Sequence, residues 1–155
     1  MIDLTLPAGA LSEDALDSLA DSLMRALLRA ERVPKEVAER DLLAWVYVHE
    51  LPRRRVYTGG QRLGERPAPI RLDISIPAGV VSPDDKSGFI AEATRLVLEA
   101  AGEDPSDMAA ASRVWVLFRE VPDGWGAAGR LLSLRQIAKI VGASDERVAE
   151  AGVAG

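Results

Sequence analysis

The chain repeats itself at a constant offset of 70 residues. Asp3 matches Asp73, Pro7-Ala8-Gly9 matches Pro77-Ala78-Gly79, and Ser12 and Asp14 match Ser82 and Asp84. Arg25, Leu28 and Ala30 match Arg95, Leu98 and Ala100. Trp45-Val46 matches Trp115-Val116, Glu50 and Pro52 match Glu120 and Pro122, and Gly59 matches Gly129. That makes fourteen identities in order and without a gap, where ordinary composition gives roughly four. A fold for this chain must therefore be built twice from one plan.

The plan is legible in each half. Ile2, Leu4 and Leu6 alternate with polar residues, as do Ile70, Leu72, Ile74 and Ile76. Period two predicts a half-buried strand. Pro-Ala-Gly ends it. Ser12 and Ser82 stand where a helix cap is needed, and Pro83 suits the first helical position. Leu16, Leu19, Leu23 and Leu27 form one helical stripe; Phe89, Ala93, Leu96, Val97 and Ala100 form the other. A second strand closes each half, at residues 45–49 and 114–118. A crossover helix makes the two strands of a half parallel.

The expected fold is α/β (α+β). Two β-α-β repeats, over 2–60 and 72–130, form a four-stranded sheet with both helices on one face. A C-terminal helical tail, 133–152, completes a single domain spanning 1–155. Val46, Val48, Val116 and Phe118 are expected to face the helices. Trp45, Tyr47, Trp115 and Leu117 then lie on a bare face that needs a cover, which predicts a homo-oligomer.

Composition closes several routes. There is no cysteine and a single histidine, which excludes thiol catalysis and any multi-histidine or cysteine-ligated metal site within one chain. No metal and no cofactor is expected. The net charge of −5 gives no pull toward nucleic acid or anionic membrane. The apolar runs fall short of the ~20 residues of a membrane helix. Met1-Ile2-Asp3-Leu4 carries no secretory pattern, so a cytoplasmic protein is expected. The tail segment QIAKIVGASDERV has helix-turn-helix spacing. Its second helix would carry Asp145, Glu146 and Glu150 against Arg147, which repels phosphate. A tail packed on a neighbouring subunit is the expected role.

Strand, small loop, capped helix, then a strand ending in Glu-x-Pro and a Gly-rich turn resembles the tautomerase superfamily. The segment WVLFREVPDGWGAAGR, from Trp115 to Arg130, is similar to that family's second strand and turn. His49-Glu50-Leu51-Pro52 and Val56-Tyr57-Thr58-Gly59-Gly60-Gln61 resemble the same piece in the first half. The similarity covers Ile2 to Leu131. Its fused halves most resemble the cis-3-chloroacrylic acid dehalogenase, malonate semialdehyde decarboxylase and 4-oxalocrotonate tautomerase branches. It implies a trimer whose sheets form the inner wall, and a catalytic amino-terminal proline.

The chain departs from the family at that proline. Met1 precedes Ile2, a residue too bulky for methionine removal, and Pro69 is internal, so its nitrogen is an amide. The histidine of the dehalogenase branch falls on Leu27, its tyrosine on Leu117 and its glutamate at about Ala127. Its loop arginines fall among Pro77 to Val80.

What remains are other candidates. The α-amine of Met1 has an ordinary pKa of ~7.7–8.0, and burial would make it a usable base. His49, the single histidine, is of the side-chain type suited to proton transfer and shares a strand face with Trp45 and Tyr47; the alternative is a histidine satisfied at a strand end or subunit contact. Arg71, Arg119 and Arg130 offer bidentate donors to an anion. Trp45, Tyr47, Trp115 and Trp125 offer an aromatic wall. Arg53-Arg54-Arg55 reads as a solvated turn, and Glu50 and Glu120 as strand-end ion pairs. The expected function is a proton-transfer isomerisation, or a related lyase or cyclisation step, on a small anionic or enolisable organic substrate. A non-catalytic binding or hetero-oligomer partner is the alternative.

Overall fold

The computed structural model describes residues 1–33, 44–122, 125–127, 129–133 and 136–137. The chain runs β1 (Ile2–Pro7), α1 (Glu13–Ala30), β2 (Val46–Leu51), a short 3-10 turn (Arg53–Arg55), β3 (Tyr57–Thr58) and β4 (Gln61–Arg62). The second half runs β5 (Ile70–Pro77), α2 (Pro83–Ala100), α3 (Met108–Ala111), β6 (Val114–Val121), β7 (Trp125–Ala127) and β8 (Arg130–Leu132). The predicted tail lies almost wholly outside the described residues.

One four-stranded sheet carries the fold, in the order β2-β1-β5-β6. Each half contributes a parallel pair, β1 with β2 and β5 with β6. The halves meet antiparallel, β1 against β5. Ile2, Leu4, Leu6, Leu72, Ile74 and Ile76 are at most 1% exposed and share one cluster with Leu19, Leu23, Leu27, Phe89, Ala93 and Val97. Both helices therefore cover the same face. Each aliphatic side chain so buried contributes about 1.5–3 kcal/mol.

The second strands outrun their sequence signal, ending at Leu51 and Val121. Val46, Val116 and Phe118 pack against the core as expected. Val48 differs: it stays 40% exposed, because β2 is an edge strand that the helices do not fully cover.

The repeat's shared residues build shared joints. The Ser12 hydroxyl accepts from the Ala15 amide at 3.3 Å, and that of Ser82 accepts from the Asp85 amide at 3.1 Å. The Ala10 amide bonds the Pro7 carbonyl at 3.0 Å, and that of Val80 the Pro77 carbonyl at 3.4 Å. These β-turns hold Gly9 and Gly79 at φ 71° and 74°, where a side chain is disfavoured. Glu50 then accepts from the Gly9 amide, and Glu120 from the Gly79 amide, each at 3.2 Å. Lys86 also ion-pairs with Glu120. Glu120 thus forms the strand-end ion pair expected of it, whereas the recorded partner of Glu50 is an amide. Among the described residues no helix is long and apolar enough to cross a membrane, and no group of three or more His, Asp or Glu could hold a metal ion.

Candidate functional site

The sheet face away from the helices is organised in rows that the strand register defines. Asp3 pairs with Tyr47 on one side and Asp73 on the other, and Asp73 pairs with Leu117. Two residues along, Thr5 pairs with His49 and Arg71, and Arg71 with Trp115. In the opposite direction Met1 stands beside Ser75, which pairs with Arg119. Trp45, whose carbonyl accepts from the Ile2 amide at 2.8 Å, completes that row.

The candidates therefore separate along the sheet. Met1, Trp45 and Arg119 share one end. Trp125 adjoins it, with its indole N–H donating to the Val121 carbonyl at 3.3 Å. Arg130 follows on β8, exposed, opposite Ala127. His49, Arg71 and Trp115 occupy the row of Thr5, about 13 Å from Met1 at ~3.3 Å per residue. Tyr47 lies between the two groups. Its ring centroid is 6.5 Å from that of His49.

At the Met1 end the α-amine is half-buried and donates to the Ser75 carbonyl at 3.0 Å. Burial lowers its pKa below the usual 8.0, opposed by the charges of Glu31 and Asp3. Glu31 was not foreseen from sequence. It caps the C-terminus of α1, its amide bonded to the Leu27 carbonyl at 2.8 Å. A crossover helix returns the chain to the level where its first strand began, which brings Glu31 near Met1. Burial raises its carboxyl from 4.5 to about 7, opposed by the terminal ammonium. The amine is thus shifted down and the carboxyl up, each by burial and each opposed by the other's charge.

At the other end His49 Nε2 lies 2.7 Å from Asp3 Oδ1, a diagonal reach toward the neighbouring row. Arg71 Nε donates to Asp73 Oδ2 at 2.7 Å. Nearby, a cleft of about 230 Å³ is lined by Thr5, Pro7, Leu51, Val56, Arg71 and Trp115 among others. The run Arg53–Arg55 is not simply solvated: the Arg53 guanidinium donates to the carbonyls of Gly64 and Arg66. Leu27 is fully buried in the core and Leu117 is 43% exposed on the open face.

No model of a protein family matches the sequence, and no curated protein matches it. Solved structures do. The R7 fused 4-OT, an asymmetric trimer, aligns at 22% identity over 84% of this chain and 94% of its own, with a TM-score of 0.65. N1, a member of the cis-3-chloroacrylic acid dehalogenase family, aligns at 19% identity over 84% and 82%, with a TM-score of 0.65. Malonate semialdehyde decarboxylase aligns at 22% identity over 84% and 91%, with a TM-score of 0.58. At such identities the likeness is one of fold. The chain shares the two-repeat β-α-β fold of these proteins.

Proposed function

We propose that the chain catalyses a proton-transfer isomerisation, or a related lyase or cyclisation step, on a small anionic or enolisable organic substrate. The observation that carries this reading is the half-buried α-amine at the head of β1, donating to the Ser75 carbonyl and within reach of the charge of Glu31. In its neutral form the amine takes a proton from the enol oxygen of the substrate. The Glu31 carboxyl delivers one to carbon, and proton exchange between the two groups restores the starting state. Arg119 and Arg130 supply donors for a substrate carboxylate, and Trp45 and Trp125 an aromatic wall. His49, paired to Asp3 at the far row, is a second base on the same face. The trimeric state of the fused 4-OT neighbour and the bare aromatic face support a homotrimer.

The reading is tested by following ketonisation of phenylenolpyruvate, after intact mass has established that the chain starts at Met1. Acetylation of the α-amine and Glu31→Gln should each slow turnover by about 10²-fold or more. Turnover equal to buffer in the wild type overturns it. A second reading, a non-catalytic partner in a hetero-oligomer, is favoured by one observation. The positions that the resemblance assigns to a histidine and a tyrosine carry Leu27, sealed in the core, and Leu117. Co-purification with a proline-bearing tautomerase, with no activity alone, would establish it.

A further inference from the structure

We propose that the cleft at the Arg71 end of the sheet binds a small organic acid, its carboxylate on the Arg71 guanidinium and its apolar body against Trp115, as a site separate from the Met1 end. This goes beyond the proposed reaction and does not depend on it.

The lining fixes the chemistry of the occupant. Among the described residues that line the cleft Arg71 is the one charged side chain, with the Thr5 hydroxyl and the Trp115 indole N–H as further polar groups. Pro7, Leu51, Val56 and Pro69 make the remaining wall apolar. A guanidinium whose terminal nitrogens stay open, set over an apolar surface, favours an anion with a hydrocarbon body over either a bare anion or a neutral hydrocarbon, even with Asp73 paired at its Nε. The Arg71 side chain is also oriented in advance. Its Nε is tied to Asp73 at 2.7 Å, a bond that sets the guanidinium plane and involves neither terminal nitrogen. Those terminal nitrogens form the fork that meets a carboxylate bidentately. Trp115 pairs with Arg71 across β5 and β6, and its indole is 65% exposed. In the single chain it therefore offers a ring face next to the cation.

The wall opposite is built rather than loose. Arg53 donates to the carbonyls of Gly64 and Arg66, and Arg66 in turn donates to those of Leu63 and Gln61 at 3.1 Å each. Leu63 is 1% exposed, and its amide bonds the Val56 carbonyl at 2.8 Å. These bonds hold Val56 in place without a ligand, which limits the ordering cost of binding. The volume of about 230 Å³ lies below the ~300–1,000 Å³ of drug-sized sites, so the occupant is on the scale of an arylacetate. Pro69, an internal residue, contributes an amide nitrogen and no base.

Fluorescence decides the matter. In a Trp45→Phe/Trp125→Phe protein, Trp115 is the only indole left, and phenylacetate should change its emission saturably. Phenylacetamide, which lacks the charge, should bind about tenfold more weakly or worse, and acetate should give no saturation. Arg71→Gln should weaken phenylacetate by about tenfold, with Arg71→Lys between, provided circular dichroism shows both folded. Glu31→Gln should leave the affinity unchanged, since it acts at the other end. Absence of saturation overturns the proposal, including the case in which a neighbouring copy seals the cleft. So does equal binding by Arg71→Gln. Loss of binding on Glu31→Gln would move the ligand to the Met1 end and refute a separate site. Binding is read without turnover, so this result stands apart from the fate of the proposed reaction.

Discussion

Asp3 and Asp73 stand directly opposite each other across the antiparallel strands β1 and β5. They are equivalent residues of the two repeats, so the fold sets like charges face to face at its own centre of symmetry. Such a pairing is unfavourable by itself. Each carboxylate has its own hydrogen-bond partner, His49 on Asp3 and Arg71 on Asp73, both at 2.7 Å. His49→Ala is expected to cost about 0.2–1 kcal/mol, the range of exposed pairs. In an Asp73→Asn background the cost should shrink, because Asp3 no longer faces a second carboxylate. Urea denaturation of the four proteins measures this. An equal cost in both backgrounds would show the two pairs to be independent.

Glu31 should make stability depend on pH. Its folded carboxyl titrates at about 7 against 4.5 ordinarily, so the native state holds the proton more tightly than the unfolded chain. The resulting stability is fully present below pH 4.5 and is lost as pH rises to about 7. The Met1 amine, lowered from 8.0, works in the opposite sense between its lowered value and 8.0. Glu31→Gln should therefore have a higher melting temperature than wild type at pH 7, with the difference closing by pH 4. Parallel melting curves across that range would remove Glu31 from the buried couple.

The turn clasps should be worth similar amounts in the two halves, with one difference. Glu50→Ala frees the Gly9 amide and is expected to cost about 0.5–1.5 kcal/mol. Glu120→Ala loses the Gly79 amide and the Lys86 ion pair together, and should cost more. The Lys86 bond, with the Gly79 amide, holds the Glu120 carboxyl below its usual pKa. Its contribution is therefore present above pH 4.5 and fades as pH falls below it. Chemical denaturation at pH 7 and pH 3 separates the two variants. A larger loss for Glu50→Ala at pH 7 would contradict the geometry.

Much of this was legible in the sequence because alternation and helical period report which face each residue takes. Ile2 to Leu6 and Ile70 to Ile76 announced the core, and Ser12 and Ser82 announced the caps. The sharing of rows was not legible. Met1 and Arg71 each begin their half and are equivalent positions of the repeat. Antiparallel docking of β1 on β5 sends those two beginnings to opposite ends of the sheet. Strand pairing between halves depends on contacts separated by some 70 residues, and local pattern does not report it. Glu31 escaped for a related reason. It looks like one more charge at a helix end, and its meaning comes from the crossover that returns it to Met1.

The open face carries the last prediction. Trp45, Tyr47, Trp115 and Leu117 are between 43% and 65% exposed along the two edges of one side of the sheet, large apolar side chains of the kind that partner chains cover. Leu117 sits midway along β6, paired with Asp73. Leu117→Lys sets an ammonium beside that carboxylate, so the isolated sheet should tolerate it. An opposing apolar surface should not, because the added charge would be desolvated without a partner of its own. Light scattering should show the proposed trimer falling to a smaller species, with the far-ultraviolet circular dichroism unchanged. A trimer of unaltered mass would place the subunit contact elsewhere, and a monomeric wild type would remove the need for a cover altogether.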